Sequence, residues 1–146
     1  MIVESVEIFR PMIVLACWTL VMWAWMIGTR LPAMSARGIK LTRLVGGKGS
    51  DADGVLPDRT QWKAHNYNHL LEQPTLFYVI ALVLAFIGVG GGLNAAIAWG
   101  YVLLRIAHSL VQALYNRVAL RFALFVLSTL CLTALTLHAA IAVWRL

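Results

Sequence analysis

Leu104–Phe122 reads LRIAHSLVQALYNRVALRF, an apolar stretch into which Arg105, His108, Ser109, Gln112, Asn116, Arg117 and Arg121 are set. Wound as a helix, Arg105, His108/Ser109, Gln112 and Tyr115/Asn116 recur every three or four residues and share one face. Such a stripe on a hydrophobic helix is costly in a bilayer unless it meets a partner or a wet cavity. It therefore marks the place to look for function.

On either side the chain reads as a membrane protein. It is 61 % hydrophobic and only 12 % charged, against roughly a quarter charged in soluble domains. Uncharged runs cover Pro11–Thr29, Gln73–Leu104 and Phe122–Trp144. The first and third each match the roughly 20 residues of a membrane span. The middle run is broken by Gly88-Val-Gly-Gly-Gly92 and divides between two spans. The expected fold is an all-α bundle of four transmembrane helices in a single domain, at about 8–30, 59–88, 94–115 and 118–144.

The net charge of +6 is concentrated between the first two spans, in Arg30, Arg37, Lys40, Arg43, Lys48, Arg59 and Lys63. That placement argues against nucleic acid. A short loop rich in Lys and Arg is the positive-inside signal, so loop 31–58 is expected in the cytoplasm with both termini outside, Glu4 and Glu7 at one end and Arg145 at the other. No cleaved signal peptide is evident, since the N-terminus is acidic. Cys17 and Cys131 form no spacing motif and read as small buried hydrophobes.

Pro11 fits the first turn of helix one, and Pro32 with Gly38 should end it. Asp58-Arg-Thr-Gln61 has the form of a capping box opening helix two. Pro74 should kink that helix, and Asn94 is placed to cap helix three. Asn116 and its neighbours should turn helix three tightly into helix four.

The rise of about 1.5 Å per residue puts Arg105 and Glu72 at similar depths, and their opposite signs predict an ion pair between helices two and three. Arg121 and Arg117 lie nearer the loop side. With His108, Asn68, His69, Lys63 and Arg30 they predict an electropositive pocket that suits an anionic ligand and would favour a bound thiolate. His65, His69 and Glu72 have helical spacing compatible with a metal but no clear fourth ligand, so no metal site is expected.

Three segments resemble the MAPEG superfamily, the membrane-associated proteins of eicosanoid and glutathione metabolism. They are Asn68-His-Leu-Leu-Glu72-Gln-Pro-Thr-Leu-Phe77-Tyr78, Arg105-Ile-Ala-His108-Ser, and Arg121 sixteen residues after Arg105. The resemblance implies a homotrimer in the membrane, with glutathione bound between subunits near the cytoplasmic side. Arg121 falls where the family stabilises the glutathione thiolate. Arg30, Asn68, Glu72, Arg105 and His108 fall at other ligand-binding or pocket positions. The chain is similar to microsomal glutathione transferases and prostaglandin E synthase but departs from them. Lys63 or His65 stands for an arginine early in helix two, Gln112 for a tyrosine, and Phe122 and Phe125 for polar or tyrosine positions. A divergent bacterial-type member, in the cell's inner membrane, fits these departures.

Two functions follow from different classes. The first is a glutathione-dependent transferase or peroxidase acting on a lipophilic electrophile that enters from the bilayer. The second is a non-catalytic membrane protein whose polar face knits helices together or binds lipid headgroups.

Overall fold

The computed structural model describes residues 6–145, so Glu4 lies outside the described residues. Four long helices follow one another: α1 Phe9–Ala36, α2 Asp58–Phe86, α3 Leu93–Leu114 and α4 Val118–Val143. All four are long and apolar enough to cross a bilayer. Among the described residues there is no strand. Between α1 and α2 the loop carries two short 3-10 turns, Leu41–Arg43 and Gly49–Ala52.

Each helix buries one stripe. On α2 the buried positions Asn66, Leu70, Pro74, Phe77, Ala81 and Leu84 share a single helical face, while Gln61 and Ala64, in the first turns near the loop, are buried on another side. On α3 they run from Ala95 through Tyr101, Arg105, His108/Ser109 to Gln112/Ala113. Of the four, α3 is buried most fully, and it packs against α1, α2 and α4. The stacked rings of Phe77 and Tyr101, 4.4 Å between centroids, join α2 to α3 at the centre of the apolar core. Tyr101 donates its hydroxyl hydrogen to Gln73 Oε1 at 3.3 Å, and Gln73 Nε2 donates to Thr129 Oγ1 on α4 at 2.9 Å. This polar chain lies inside the bundle, where a lipid environment would leave it unsatisfied.

The helix ends follow backbone chemistry, with several departures from expectation. α1 does not stop at Pro32 but runs through it to Ala36. A proline costs one hydrogen bond and crowds the carbonyl four residues back, here Gly28 close to the membrane edge. The helix ends where Gly38, at φ +69°, offers the left-handed conformation. There the Gly38 and Ile39 N–H groups bond back to Ser35 and Met34, a Schellman closure. α2 likewise runs through the buried Pro74 without interruption.

The capping box at Asp58 does not form. Gln61 instead donates Nε2 to Asp53 Oδ1 at 2.5 Å, reaching back into the loop. Nor does Asn94 cap α3. Gly92 holds the cap position at φ +55°, and its N–H donates to the Glu7 carboxylate at 3.1 Å. A carboxylate there suits the positive end of the helix dipole. Asn94 bonds Val89 O and His138 Nδ1 instead. Cys17 lies on the exposed side of α1 rather than in the core, and Cys131 is half-buried against Gly100.

Tyr115–Arg117 turns α3 into α4 as an antiparallel hairpin. Asn116 has φ +50°, a conformation that asparagine tolerates better than most residues.

Candidate active site

The α3 stripe meets α2 and α4 at the end of the bundle that carries the Asn116 turn. Arg105 is fully buried, 0 % exposed, nine residues before the end of α3 and so about 14 Å from it. Its Nη2 donates both hydrogens to His69 of α2, one to Nδ1 and one to the backbone oxygen, each at 2.9 Å. Because Nδ1 accepts, the proton of the neutral His69 ring sits on Nε2. The His69 ring stacks on His108 of α3 at 4.8 Å and 17°. Phe125 of α4 closes the group, 5.5 Å from His69 and 5.8 Å from the Arg105 guanidinium.

The predicted ion pair between Arg105 and Glu72 is absent within the chain. Glu72 is exposed, and among the described residues the one contact within 4 Å between a basic and an acidic side chain is His65–Asp53. The reason is helical phase. Residue 72 lies two positions from both Leu70 and Pro74 of the buried stripe, about 200° around the helix. Its depth matches Arg105 but its direction does not. Asn68 is exposed on the same outward side.

In front of the stacked histidines, Arg121, Val118, Phe122 and Phe125 enclose a crevice of 190 Å³ with His69 and His108. Arg121 Nη1 donates to Asn116 Oδ1 at 2.5 Å, so the residue that makes the turn also aims the guanidinium. Arg105 Nε and Nη1 and Arg121 Nε are buried donors without a protein partner. Two guanidiniums with open donors and no carboxylate match an anion, whose negative charge would satisfy them.

Arg121, His69, His108 and, behind them, Arg105 are thus brought together. Gln112 is buried one turn farther along α3, with Oε1 unpartnered. Other expected pocket residues are directed elsewhere. Arg30 bonds the Gly49 carbonyl in the loop. Lys63 donates to the Arg59 carbonyl and lies over the Trp25 ring at 5.6 Å. His65 Nε2 pairs with Asp53 at 2.9 Å, and Arg117 is exposed. Asp53, in the loop, is held below the usual carboxylate range, first by the hydrogen bond from Gln61 and then by His65.

A second polar cluster escaped the sequence reading. Ser109 Oγ accepts from Trp18 Nε1 of α1 at 3.0 Å and from Asn66 Nδ2 of α2 at 2.6 Å. Asn66, not Asn68, is the asparagine inside the bundle. Its place on the stripe with Leu70, Pro74 and Phe77 was the signal available to find it.

A model of the MAPEG family matches residues 8–141, nearly the whole chain. The chain belongs to the MAPEG family. With four helices fit to span a bilayer, this MAPEG protein is an integral membrane protein of the glutathione and eicosanoid metabolism family. Comparison with curated proteins and with solved structures gave no match.

Proposed function

We propose that this MAPEG protein is a glutathione-dependent transferase or peroxidase acting on a lipophilic electrophile, with Arg121 stabilising the thiolate. The observation that carries the reading is the crevice itself: Arg121 and two stacked histidines against Val118, Phe122 and Phe125, Arg105 behind them, and no acid among its lining residues. A cation beside a bound thiol favours its ionised form. The apolar wall would receive the hydrophobic co-substrate. Arg105 would serve as a second anion anchor, and the His69–His108 stack as a rigid floor.

A homotrimer completes this reading. The crevice of one chain, at 190 Å³, is smaller than the roughly 300–1,000 Å³ of ordinary small-molecule pockets. Glu72 and Asn68 are polar groups facing outward from a membrane span, which lipid would not tolerate cheaply. A neighbouring copy would cover them and enlarge the site. In the same reading loop 31–58 is cytoplasmic, both termini are outside, and the host membrane is a bacterial inner membrane.

A non-catalytic role is favoured for one part of the polar face only. Ser109 receives hydrogen bonds from α1 and α2 at once, the arrangement of a structural tie. The test is ultraviolet thiolate absorbance of glutathione added to the purified protein in detergent. A signal at neutral pH that disappears in Arg121→Ala supports the transferase reading. A folded, trimeric protein with no signal overturns it and leaves the non-catalytic reading.

A further inference from the structure

The loop between α1 and α2 has two halves of different character. Its second half is clasped to the bundle: Arg30 holds the Gly49 carbonyl, and Asp53 accepts from Gln61 and pairs with His65. In the first half, the backbone hydrogen bonds of residues 41–44 close only within the loop, Arg43 N–H to Lys40 and Leu44 N–H to Leu41. That half carries Arg37, Lys40, Arg43 and Lys48, with no acidic residue from position 37 to position 50. Among the described residues none of their charged side-chain groups has a carboxylate within 4 Å, although the Lys48 backbone N–H donates to Asp51 at 2.6 Å.

Between the cations stand exposed aliphatic side chains. Leu41 is 56 % exposed, Leu44 55 % and Val45 100 %. Behind them lies a hollow of 380 Å³, lined in part by Met34, Ile39, Val55 and Leu56. Bare aliphatics are unfavourable in water, and interleaved with hydrated cations they match the boundary between lipid headgroups and acyl chains. Both ends of the loop continue into spans, α1 ending at Ala36 and α2 beginning at Asp58, so this segment is tethered at the membrane surface.

We infer that residues 37–48 form a second membrane-binding element. Arg37, Lys40, Arg43 and Lys48 engage the phosphates of anionic phospholipids, while Leu41, Leu44 and Val45 enter the acyl boundary. The charge is complementary, and the tether removes most of the entropic cost of association. Three aliphatic side chains are a small patch for a stable protein interface, which spans roughly 20–30 residues a side. The lipid of the same leaflet is the occupant that the observations favour. This inference is independent of whether the crevice binds glutathione.

The experiment places a fluorescent reporter on the loop of the full-length protein. Val45→Cys, in a background with Cys17→Ser and Cys131→Ala, is labelled with an environment-sensitive dye. The protein is then reconstituted in zwitterionic vesicles and in vesicles enriched in phosphatidylglycerol. Lipid on both sides of a vesicle has the same composition, so insertion direction does not matter. The expected result is a blue shift and quenching by headgroup-region nitroxide lipid that grow with anionic lipid and fall at high salt. Each basic residue at an anionic surface strengthens association by about fivefold, so Lys40→Gln with Arg43→Gln should weaken the loop's partition roughly 25-fold. Two results overturn the inference. One is identical emission in both lipids. The other is a shielded dye that lipid nitroxide does not quench, which would mean that protein, a second copy included, covers the loop. Unchanged circular dichroism of the double variant shows that the fold is intact.

Discussion

Replacing Arg105 by methionine separates a structural arginine from one kept for a ligand. The wild-type guanidinium is fully buried, and its protein partner is His69, reached by two hydrogen bonds from Nη2. Hydrogen bonds to a charged group are each worth about 1.5–3 kcal/mol. Against them stands the burial of the charge, at least about 2.5–3.5 kcal/mol for an arginine near mid-span. Two donor nitrogens, Nε and Nη1, recover nothing from the protein. Methionine fills a similar volume with flexible apolar atoms. The opposing terms nearly offset, leaving a net destabilisation of about 0–3 kcal/mol. Arg105→Met should therefore fold and assemble, unfolding in detergent close to wild type, while losing most of its affinity for an anionic thiol ligand. The assay pairs denaturant unfolding, followed by circular dichroism, with calorimetric titration of glutathione. Loss of more than about 5 kcal/mol with ligand affinity intact in the surviving folded fraction would refute this accounting and make Arg105 a structural residue.

Ser109→Ala leaves the Trp18 and Asn66 donors without their shared acceptor. It should cost about 2–5 kcal/mol of unfolding stability, more than Arg105→Met at its median. Asn116→Gly keeps the positive φ at the turn but removes the oxygen that aims Arg121. Thermal stability should move by less than about 1 kcal/mol, while the thiolate signal weakens severalfold; an unchanged signal would show that the Arg121 aim is irrelevant. At Asp53 the folded carboxylate titrates below its ordinary value because Gln61 and His65 favour its charged form. A depressed acid contributes stability above the unfolded pKa, near 3.9, and loses it as pH falls through the lower folded value. The loop clasp should persist at neutral pH and open only in acid below the ordinary carboxylate range. The nuclear magnetic resonance shift of the His65 ring should report that opening, and Asp53→Asn should abolish the transition.

The four spans, the tight α3–α4 hairpin and the polar α3 face were legible because each rests on a local signal: an uncharged run of sufficient length, a turn residue, a periodic stripe. The gathering of Arg121, His69 and His108 was legible only as a shared depth near the Asn116 end, which the helical rise gives for each helix separately. The Arg105–Glu72 pair does not form, because equal depth along two helices says nothing of the direction in which each side chain points. The α2 stripe of Asn66, Leu70, Pro74 and Phe77 already sets Glu72 on the opposite side. Pro32 and the Asp58 box misled because a helix end depends on what its neighbours offer. Of the two stops expected for α1, Gly38 ends it and Pro32 does not, and Asp53, eight residues before Gln61, drew that side chain away from the cap. The tie from Trp18 to Ser109 spans 91 residues, and no local pattern announces a partner so distant.

The His69–Arg105 contact also carries a consequence for biosynthesis. Its two halves are 36 residues apart, with His69 made first. When a ribosome delivers Arg105 to the membrane, the acceptors that take its Nη2 hydrogens are already present in the preceding helix. The costliest cation of the chain need never face hydrocarbon alone. A translocation intermediate halted before α2 is released should therefore reject α3, whereas one halted after it should accept the same helix. The order of the sequence is thus part of what makes a buried arginine insertable.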